Sequence, residues 1–322
     1  MSTRFLAWLL FLSVALWGTT GYFIYKIAIN SRWLGKGQSS TTWATPRKSQ
    51  KTKYQATVSS HPVNLFAALN KEEPDSLQQL ATITKPILES HQGVFGVYFE
   101  DLESGSSFGF NEDRIFYAAS LAKVPLLVGT FISLEKKEIT VNTSLTYLEE
   151  DFEEGDGSIQ NQPFGTSFTL DQVLTKLCKE SDNAAKNILF RTIATVNIRQ
   201  VLQTAGAKKT DLKENLSTPK EIASIFKIVY ENKVTSKESG TKIFDLLTGT
   251  TTEDRLPEPL PKDIVVSHKI GTWPDTDSYH DCGIIFAAKP YILCIMSENS
   301  PYGEAVATIQ EVSKTIYESL AP

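Results

Sequence analysis

Three short segments, Ser120-Leu-Ala-Lys123, Ser181-Asp-Asn183 and Lys269-Ile-Gly-Thr272, fall in that order along a chain of 322 residues. They constrain the fold because the chemistry they suggest works only if all three meet at one point. A serine hydroxyl is a weak nucleophile until a base takes its proton. A lysine can be that base only when neutral, and burial and a second nearby cation both favour the neutral amine. Lys123 lies one helical turn after Ser120, on the same face of a helix opening there. Lys269 is the candidate second cation. The N-terminus of such a helix favours the negative charge that develops on Ser120 and on an attacked carbonyl oxygen.

Ser-x-x-Lys alone is a weak signal. It occurs five times, the others being Ser133/Lys136, Ser217/Lys220, Ser224/Lys227 and Ser239/Lys242. Context separates Ser120 from these. The aromatic and small run Phe116-Tyr-Ala-Ala119 leads into it, and the apolar stretch Val124-Pro-Leu-Leu-Val128 follows. Pro125 is tolerable because the first helical turn lacks intrahelical partners for its N–H groups. Ser181-Asp-Asn183 occurs once, between the amphipathic stretch Leu170 to Cys178 and Ala184-Ala-Lys-Asn187. Ser181 is a candidate proton relay and Asn183 a candidate amide holder; a plain helix N-cap is the alternative. Lys269-Ile-Gly-Thr272 continues the apolar segment Ile264-Val-Val-Ser267, which reads as a strand. Gly271 is expected to let a substrate approach the backbone. The N–H groups of Ser120 and Thr272 are the expected oxyanion hole.

This motif set resembles that of the penicillin-recognising serine enzymes, and class A β-lactamases in particular. The resemblance runs from about residue 90 to the C-terminus. Val94-Phe-Gly-Val-Tyr-Phe-Glu-Asp-Leu102 and Ser107-Phe-Gly-Phe110 look like the first two sheet strands of that family. Asp156-Gly-Ser158 resembles the loop across the cleft, and Asp254-Arg-Leu-Pro257 the segment before the third motif. Cys282-Gly-Ile-Ile-Phe286 and Tyr291-Ile-Leu-Cys-Ile295 look like the closing hairpin. The resemblance implies an α/β (α+β) fold: an antiparallel five-stranded sheet flanked by helices, with an all-helical lobe inserted between strands. It implies catalytic roles for Ser120, Lys123, Ser181 and Lys269, and substrate binding by Asn183, Gly271 and Thr272.

Two departures stand out. The family carries a long loop whose glutamate activates the deacylating water. Here only Ala207 to Ser217 separate Ala205-Gly206 from Thr218-Pro219, and the Glu-x-x-x-Asn pattern of that loop is absent. Glu214 is the substitute candidate base, against its reading as a solvated turn residue. Ile270 stands where the family usually has a hydroxyl that binds the substrate carboxylate. Isoleucine cannot donate that bond, and Thr272, two residues on and on the same strand face, is the candidate replacement.

Composition bounds the rest. A net charge of −5 gives no reason to expect nucleic acid. His61, His91, His268 and His280 are scattered without metal-ligand spacing, and no cofactor or metal is implied. Cys178, Cys282 and Cys294 do not make a disulfide framework. They read as packed free thiols, with a pairing of Cys282 and Cys294 across the hairpin as the alternative. Pro74 to Gln92 reads as the first domain helix, with Leu77, Leu80, Ile83, Ile87 and Leu88 on one face.

Phe5 to Tyr25 is an uncharged, largely apolar run of 21 residues between Arg4 and Lys26. It is long enough to span a bilayer. A signal peptide is the rival reading, but no Ala-x-Ala site follows. The expected organisation is a short tail (1–4), a transmembrane anchor (5–29), a basic Ser/Thr-rich linker (30–72) and a catalytic domain (73–322). A short docked helix is expected over Pro62 to Asn70. Lys26, Arg32 and Lys36 after the run would put the C-terminal side in the cytoplasm by the positive-inside rule. The resemblance implies the opposite, an extracytoplasmic domain, and is followed here. The expected function is a membrane-anchored serine acyl-hydrolase acylated on Ser120 by β-lactams, with turnover slowed by the short loop. A D-alanyl-D-alanine peptidase on cell-wall peptides, or a non-hydrolytic binding module, are the alternatives. The sequence leaves the oligomeric state open.

Overall fold

The computed structural model describes residues 73–320. The run read as an anchor, the linker and the short helix at 62–70 lie outside the described residues. Among the described residues no helix is long and apolar enough to cross a membrane.

In chain order the elements are α1 (Glu73–Ser90), β1 (Val94–Asp101), β2 (Ser107–Phe110) and β3 (Phe116–Tyr117). A 3₁₀ turn (Ala119–Ala122) then leads directly into α2 (Lys123–Glu135). The lobe that follows holds β4 (Ser144–Thr146), β5 (Ser167–Thr169), α3 (Leu170–Lys179), α4 (Asn183–Thr192) and α5 (Thr195–Ala205). It continues through β6 (Leu216–Ser217), α6 (Pro219–Tyr230) and α7 (Lys237–Leu246). The chain returns to the sheet with β7 (Val265–Trp273), β8 (Ser278–Phe286) and β9 (Tyr291–Glu298), and closes with α8 (Tyr302–Leu320). The main sheet has the order β2-β1-β9-β8-β7, with every pair antiparallel. The expected architecture is therefore present: a five-stranded antiparallel sheet, split by an inserted helical lobe.

The central strand β9 is apolar without interruption from Tyr291 to Met296 because both sheet faces are covered there. In β9, Tyr291, Leu293 and Ile295 join Phe95, Val97 and Phe99 of β1 in a core with Leu80 and Ile87 of α1 and Ile309, Val312 and Ile316 of α8. The alternate residues Ile292, Cys294 and Met296 join the core of the helical lobe, with Leu121, Leu126, Leu127 and Phe226. Each such side chain contributes about 1.5–3 kcal/mol on full burial.

Two expectations need correction here. On α1, Ile83 is 39% exposed, while Thr84 is fully buried. A helical turn from Leu80 returns to 84 and 87, so Thr84, whose apolar part can pack, takes the inward place. The second correction concerns the thiols. Cys282 and Cys294 form a disulfide, with Cα atoms 3.9 Å apart. They are directly opposed in the β8–β9 register, so both side chains leave the sheet on one face. Cys178 in α3 is a buried free thiol, its pKa pushed up to about 12 by burial.

Candidate active site

Ser120 sits in the 3₁₀ turn rather than at the start of an α-helix, and the turn runs into α2 at Lys123. Ala119, just before it, adopts a left-handed backbone with φ 50°. That conformation is costly for a residue with a Cβ, and it turns the chain sharply ahead of the nucleophile. The approach is held from both sides. The Ala118 N–H donates to Asn215 O at 2.7 Å. His280, fully buried on β8, has Nε2 2.8 Å from Tyr117 O, while its Nδ1 accepts from the Ser297 N–H at 3.0 Å. Burial lowers the His280 pKa to about 4, so the ring is neutral and serves as a fixed strut.

Gly271 completes this packing. A Cβ there would lie 2.8 Å from His280 Cδ2 and 2.9 Å from Ala118 O. The space expected for substrate is filled by the chain's own Ser120 approach, so glycine is needed for strand-to-turn contact.

Lys123 is 2% exposed and its Nζ is surrounded by oxygen. Ser120 Oγ lies at 2.9 Å, Ser181 Oγ at 3.1 Å and Asn183 Oδ1 at 2.8 Å, with Ser181 O also bonded. Burial, then the charges of Lys269 and Lys186, hold its pKa well below the ordinary lysine value. A neutral amine has two N–H donors and one lone pair. Two of the oxygens can take the donors while the lone pair receives the Ser120 proton.

Ser181 is also left-handed, with φ 54°. Its hydroxyl bridges the two lysines, because Lys269 Nζ donates to Oγ at 2.9 Å. Lys269 is buried, and burial lowers its pKa to about 8. It therefore remains largely protonated at neutral pH. The N-cap alternative, by Ser181 or Asp182, also holds, with Asp182 as the cap: its Oδ1 accepts from Ala185 N at 2.8 Å at the start of α4. Its other oxygen accepts from Ile159 N at 2.8 Å, fixing the loop across the cleft. Gly157 of that loop lies so close that a Cβ would sit 2.2 Å from Asp182 Cγ. The Ser-Asp-Asn triplet thus divides its work: Ser181 and Asn183 face Lys123, and Asp182 builds the scaffold.

β7 is an edge strand. His268 N–H points off the sheet to Leu247 O, at 2.9 Å. Strand alternation puts the N–H of Thr272 on the same free edge, where an oxyanion can reach it. Ile270 and Thr272 line a cleft of about 210 Å³ with Asp156, Glu180, Ser181, Thr251, Thr252, Arg255 and Tyr302.

Arg255 is the residue that sequence reasoning missed. It is 1% exposed, donates through Nη1 to Gly271 O at 2.9 Å and to His280 O at 2.6 Å, and through Nη2 to Thr272 Oγ1 at 2.7 Å. The guanidinium thus fixes the Thr272 hydroxyl at the cleft wall, two residues beyond Ile270, which has none, while its Nε lies 3.6 Å from Asp254 Oδ1. The resemblance of Asp254-Arg-Leu-Pro257 to the family segment before the third motif was the sequence signal that could have found it.

Glu214 is not brought to this cluster. Its side chain is 61% exposed, and its ion-pair contact is Lys213 at 3.8 Å. Its N–H donates to Asp211 Oδ1 at 3.1 Å, as a turn residue's does. The rival serines are committed elsewhere. Ser133 Oγ takes Asn197 Nδ2 at 2.6 Å, and Ser224 Oγ donates to Lys220 O at 2.8 Å. Among the described residues no group of three or more His, Cys, Asp and Glu is placed to hold a metal ion.

The chain is 25% identical over 206 residues to β-lactamase VEB-1 of Pseudomonas aeruginosa, covering 58% of this chain and 69% of that protein. It is 24% identical over 244 residues to β-lactamase SME-1 of Serratia marcescens, covering 70% of this chain and 80% of that one. The solved structure of PBP-A is similar with a TM-score of 0.69 at 24% identity, covering 77% of this chain and 96% of that one. A mutant of PBP-A is known as its acyl-enzyme complex with penicillin G. The likeness to PBP-A shows the fold. Residues 78–320 match the model of the β-lactamase enzyme family, most of the chain, and the chain belongs to that family.

Proposed function

We propose that this protein is a serine acyl-transfer enzyme whose Ser120 is acylated by β-lactams and that releases the acyl group slowly. The observation that carries the reading is the chain from the half-buried Ser120 Oγ through the buried Lys123 Nζ, Ser181 Oγ and Lys269 Nζ, with successive distances of 2.9, 3.1 and 2.9 Å. Lys123 takes the Ser120 proton as Oγ attacks the lactam carbonyl. The N–H groups of Ser120 and Thr272 hold the oxyanion, and Arg255 with Thr272 Oγ1 holds the substrate carboxylate. The C–N bond then breaks, and the leaving nitrogen takes the Ser181 proton. Ser181 regains a proton from the adjacent lysines.

Deacylation needs water activated on the far side of the ester. The 207–217 segment brings no carboxylate to Ser120, since Glu214 faces solvent. The acyl-enzyme is therefore long-lived. Intact-protein mass spectrometry after mixing with penicillin G tests this. The expected result is one rapid mass addition on Ser120 that decays slowly. Turnover without an accumulating adduct defeats the slow step, and absence of any adduct defeats the reading.

The same observation favours a second reading, a D-alanyl-D-alanine peptidase. A peptide acyl donor ending in a free carboxylate suits the Arg255–Thr272 corner, and the acyl-enzyme trapped by a lactam would be a mimic of its intermediate. In either case we propose that Phe5 to Tyr25 anchors the catalytic domain outside the cytoplasm. The support is the run's length, the lack of a cleavage site, and a family whose lactam substrates are met there.

A further inference from the structure

His268 precedes Lys269 on β7 and is fully buried. Opposite it in the β7–β8 register is Gly283, where a Cβ would lie 2.6 Å from the His268 Cβ. The sheet omits a side chain there. Both ring nitrogens face carboxylates. Nδ1 lies 2.8 and 3.0 Å from the two oxygens of Asp281, and Nε2 lies 3.2 Å from Glu253 Oε1. A carboxylate only accepts, and a neutral imidazole has one N–H, so both contacts are satisfied only by the imidazolium.

The two carboxylates hold opposite ends of one segment. Glu253 Oε1 accepts from Thr250 N at 2.5 Å and from Thr250 Oγ1 at 2.8 Å. Asp281 Oδ2 accepts from Leu256 N at 3.0 Å. Between them the segment carries Thr251, Thr252 and Arg255 to the cleft wall.

We propose that His268 is a positioning residue whose imidazolium clips the Thr250–Leu256 rim to the sheet and so holds Arg255 for the substrate carboxylate. The proposal rests on the reading of Ser120 as nucleophile and of carboxylate-bearing acyl donors as substrates. It deepens that reading by making carboxylate recognition depend on a group outside the catalytic chain.

The clip has a pH range. Burial alone would lower the His268 pKa; the charge and hydrogen bond of Asp281, with those of Glu253, outweigh it and raise it to about 9. A raised pKa means the clip is complete below the ordinary histidine range and is lost as pH rises through about 9. The titratable groups lining the same space are Lys269 on β7 and, at the end of α3, Cys178 and Lys179, the latter donating to Asp245 O and Thr248 O; on the rim Arg255 pairs with Asp254 at 3.6 Å. Lys269, near 8, titrates in a neighbouring range and so needs a control.

The test compares two acylating probes on the full chain. Penicillin G carries a carboxylate, and a fluorophosphonate does not, while both require Ser120 and Lys123. The ratio of their second-order labelling rates, followed from about pH 6 to about pH 10, cancels the shared steps. In the unsubstituted protein the ratio should fall through about 9. In His268→Gln it should start about tenfold lower at neutral pH, as expected for loss of a charge-assisted clip. It should lack the fall near 9, keep any fall due to Lys269, and leave fluorophosphonate labelling within about twofold. An unchanged ratio in His268→Gln overturns the proposal. If that variant does not fold, Glu253→Gln, at a position 38% exposed, decides by the same ratio, a lowered value supporting the clip and an unchanged one overturning it. Loss of fluorophosphonate labelling in the unsubstituted protein overturns the functional reading, and the proposal with it.

Discussion

The two segments that approach Ser120 from α2 and from 207–217 are held in opposite ways. On the α2 side the half-buried Ser120 hydroxyl is already bonded to a buried amine, with Lys123 2% exposed among four oxygens. On the other side, 207–217 is a short turn closed on itself. Asp211 and Leu216 exchange both backbone hydrogen bonds, at 2.9 and 2.8 Å. Its base is tied down by the buried carboxylate of Glu221, which accepts from Lys208 N, Lys209 N and Thr210 Oγ1. Its tip, with Lys213 and Glu214, is exposed. Eleven residues closed in this way complete a structural turn without carrying a carboxylate to the ester. On the proposed function, the first half-reaction is preorganised, and the second is left to whatever water reaches the ester unaided.

The comparison breaks completely if the buried side is not the reactive one. Ser120→Ala should abolish covalent labelling by penicillin and by a fluorophosphonate. Labelling that survives, or that maps to Ser133, would remove the contrast. Ser133 is buried and occupied by Asn197, so its silence is expected on geometry as well as on context.

A smaller effect sharpens it. Lys123 must be neutral to accept a proton, and Lys269 must be charged to resupply Ser181. The acylation rate should therefore rise with pH as Lys123 loses its proton, at a pH well below the ordinary lysine value. It should fall again as Lys269 loses its own through about 8. Lys269→Arg should remove the upper limb, because a guanidinium does not titrate in this range. The measurement is the second-order rate of penicillin labelling against pH. A flat profile from acid to alkaline pH would show that the two lysines do not divide the work in this way.

How far the sequence carried the structure depended on distance along the chain. Ser120 and Lys123 were readable because three residues on a helical turn fix their own geometry. The start of β7 was readable from the apolar run Ile264-Val-Val-Ser267, whereas β1, β2, β8 and β9 were placed by the family resemblance. What was not readable depended on register between remote strands. The Cys282–Cys294 disulfide requires knowing that the two positions are directly opposed. Arg255 looks like a surface residue until Gly271, His280 and Thr272 are folded around it, 16, 25 and 17 residues further on. His268 and His280 looked scattered because their partners, Asp281 and Tyr117, come from other elements. Thr84 took the inward place expected of Ile83 because the helix returns to its own face in fractional turns.

The smallest expected effect probes the exposed side directly. Glu214 is the one glutamate in the shortened segment, so it is the sole residue of that type there able to stand in for the missing base. Its carboxyl lies 3.8 Å from the Lys213 ammonium, a pair 61% and 90% exposed. Such pairs contribute little, about 0–1 kcal/mol, because water screens them and both side chains lose freedom in forming them. Yet the next residue, Asn215, is stitched to the Ser120 approach through Ala118 N. The backbone that carries Glu214 is thus anchored near the nucleophile, while its side chain points away. Glu214→Gln keeps the size and the turn and removes the base. If the carboxylate stays in solvent throughout the reaction, the steady-state rate of penicillin hydrolysis should remain within about twofold of the unsubstituted protein, as for other uncoupled surface changes. If the turn swings inward once the acyl-enzyme forms, the substitution would leave the burst intact and suppress the steady state. The 207–217 segment would then belong to the catalytic machinery, and the contrast between the two sides of Ser120 would describe the resting enzyme alone.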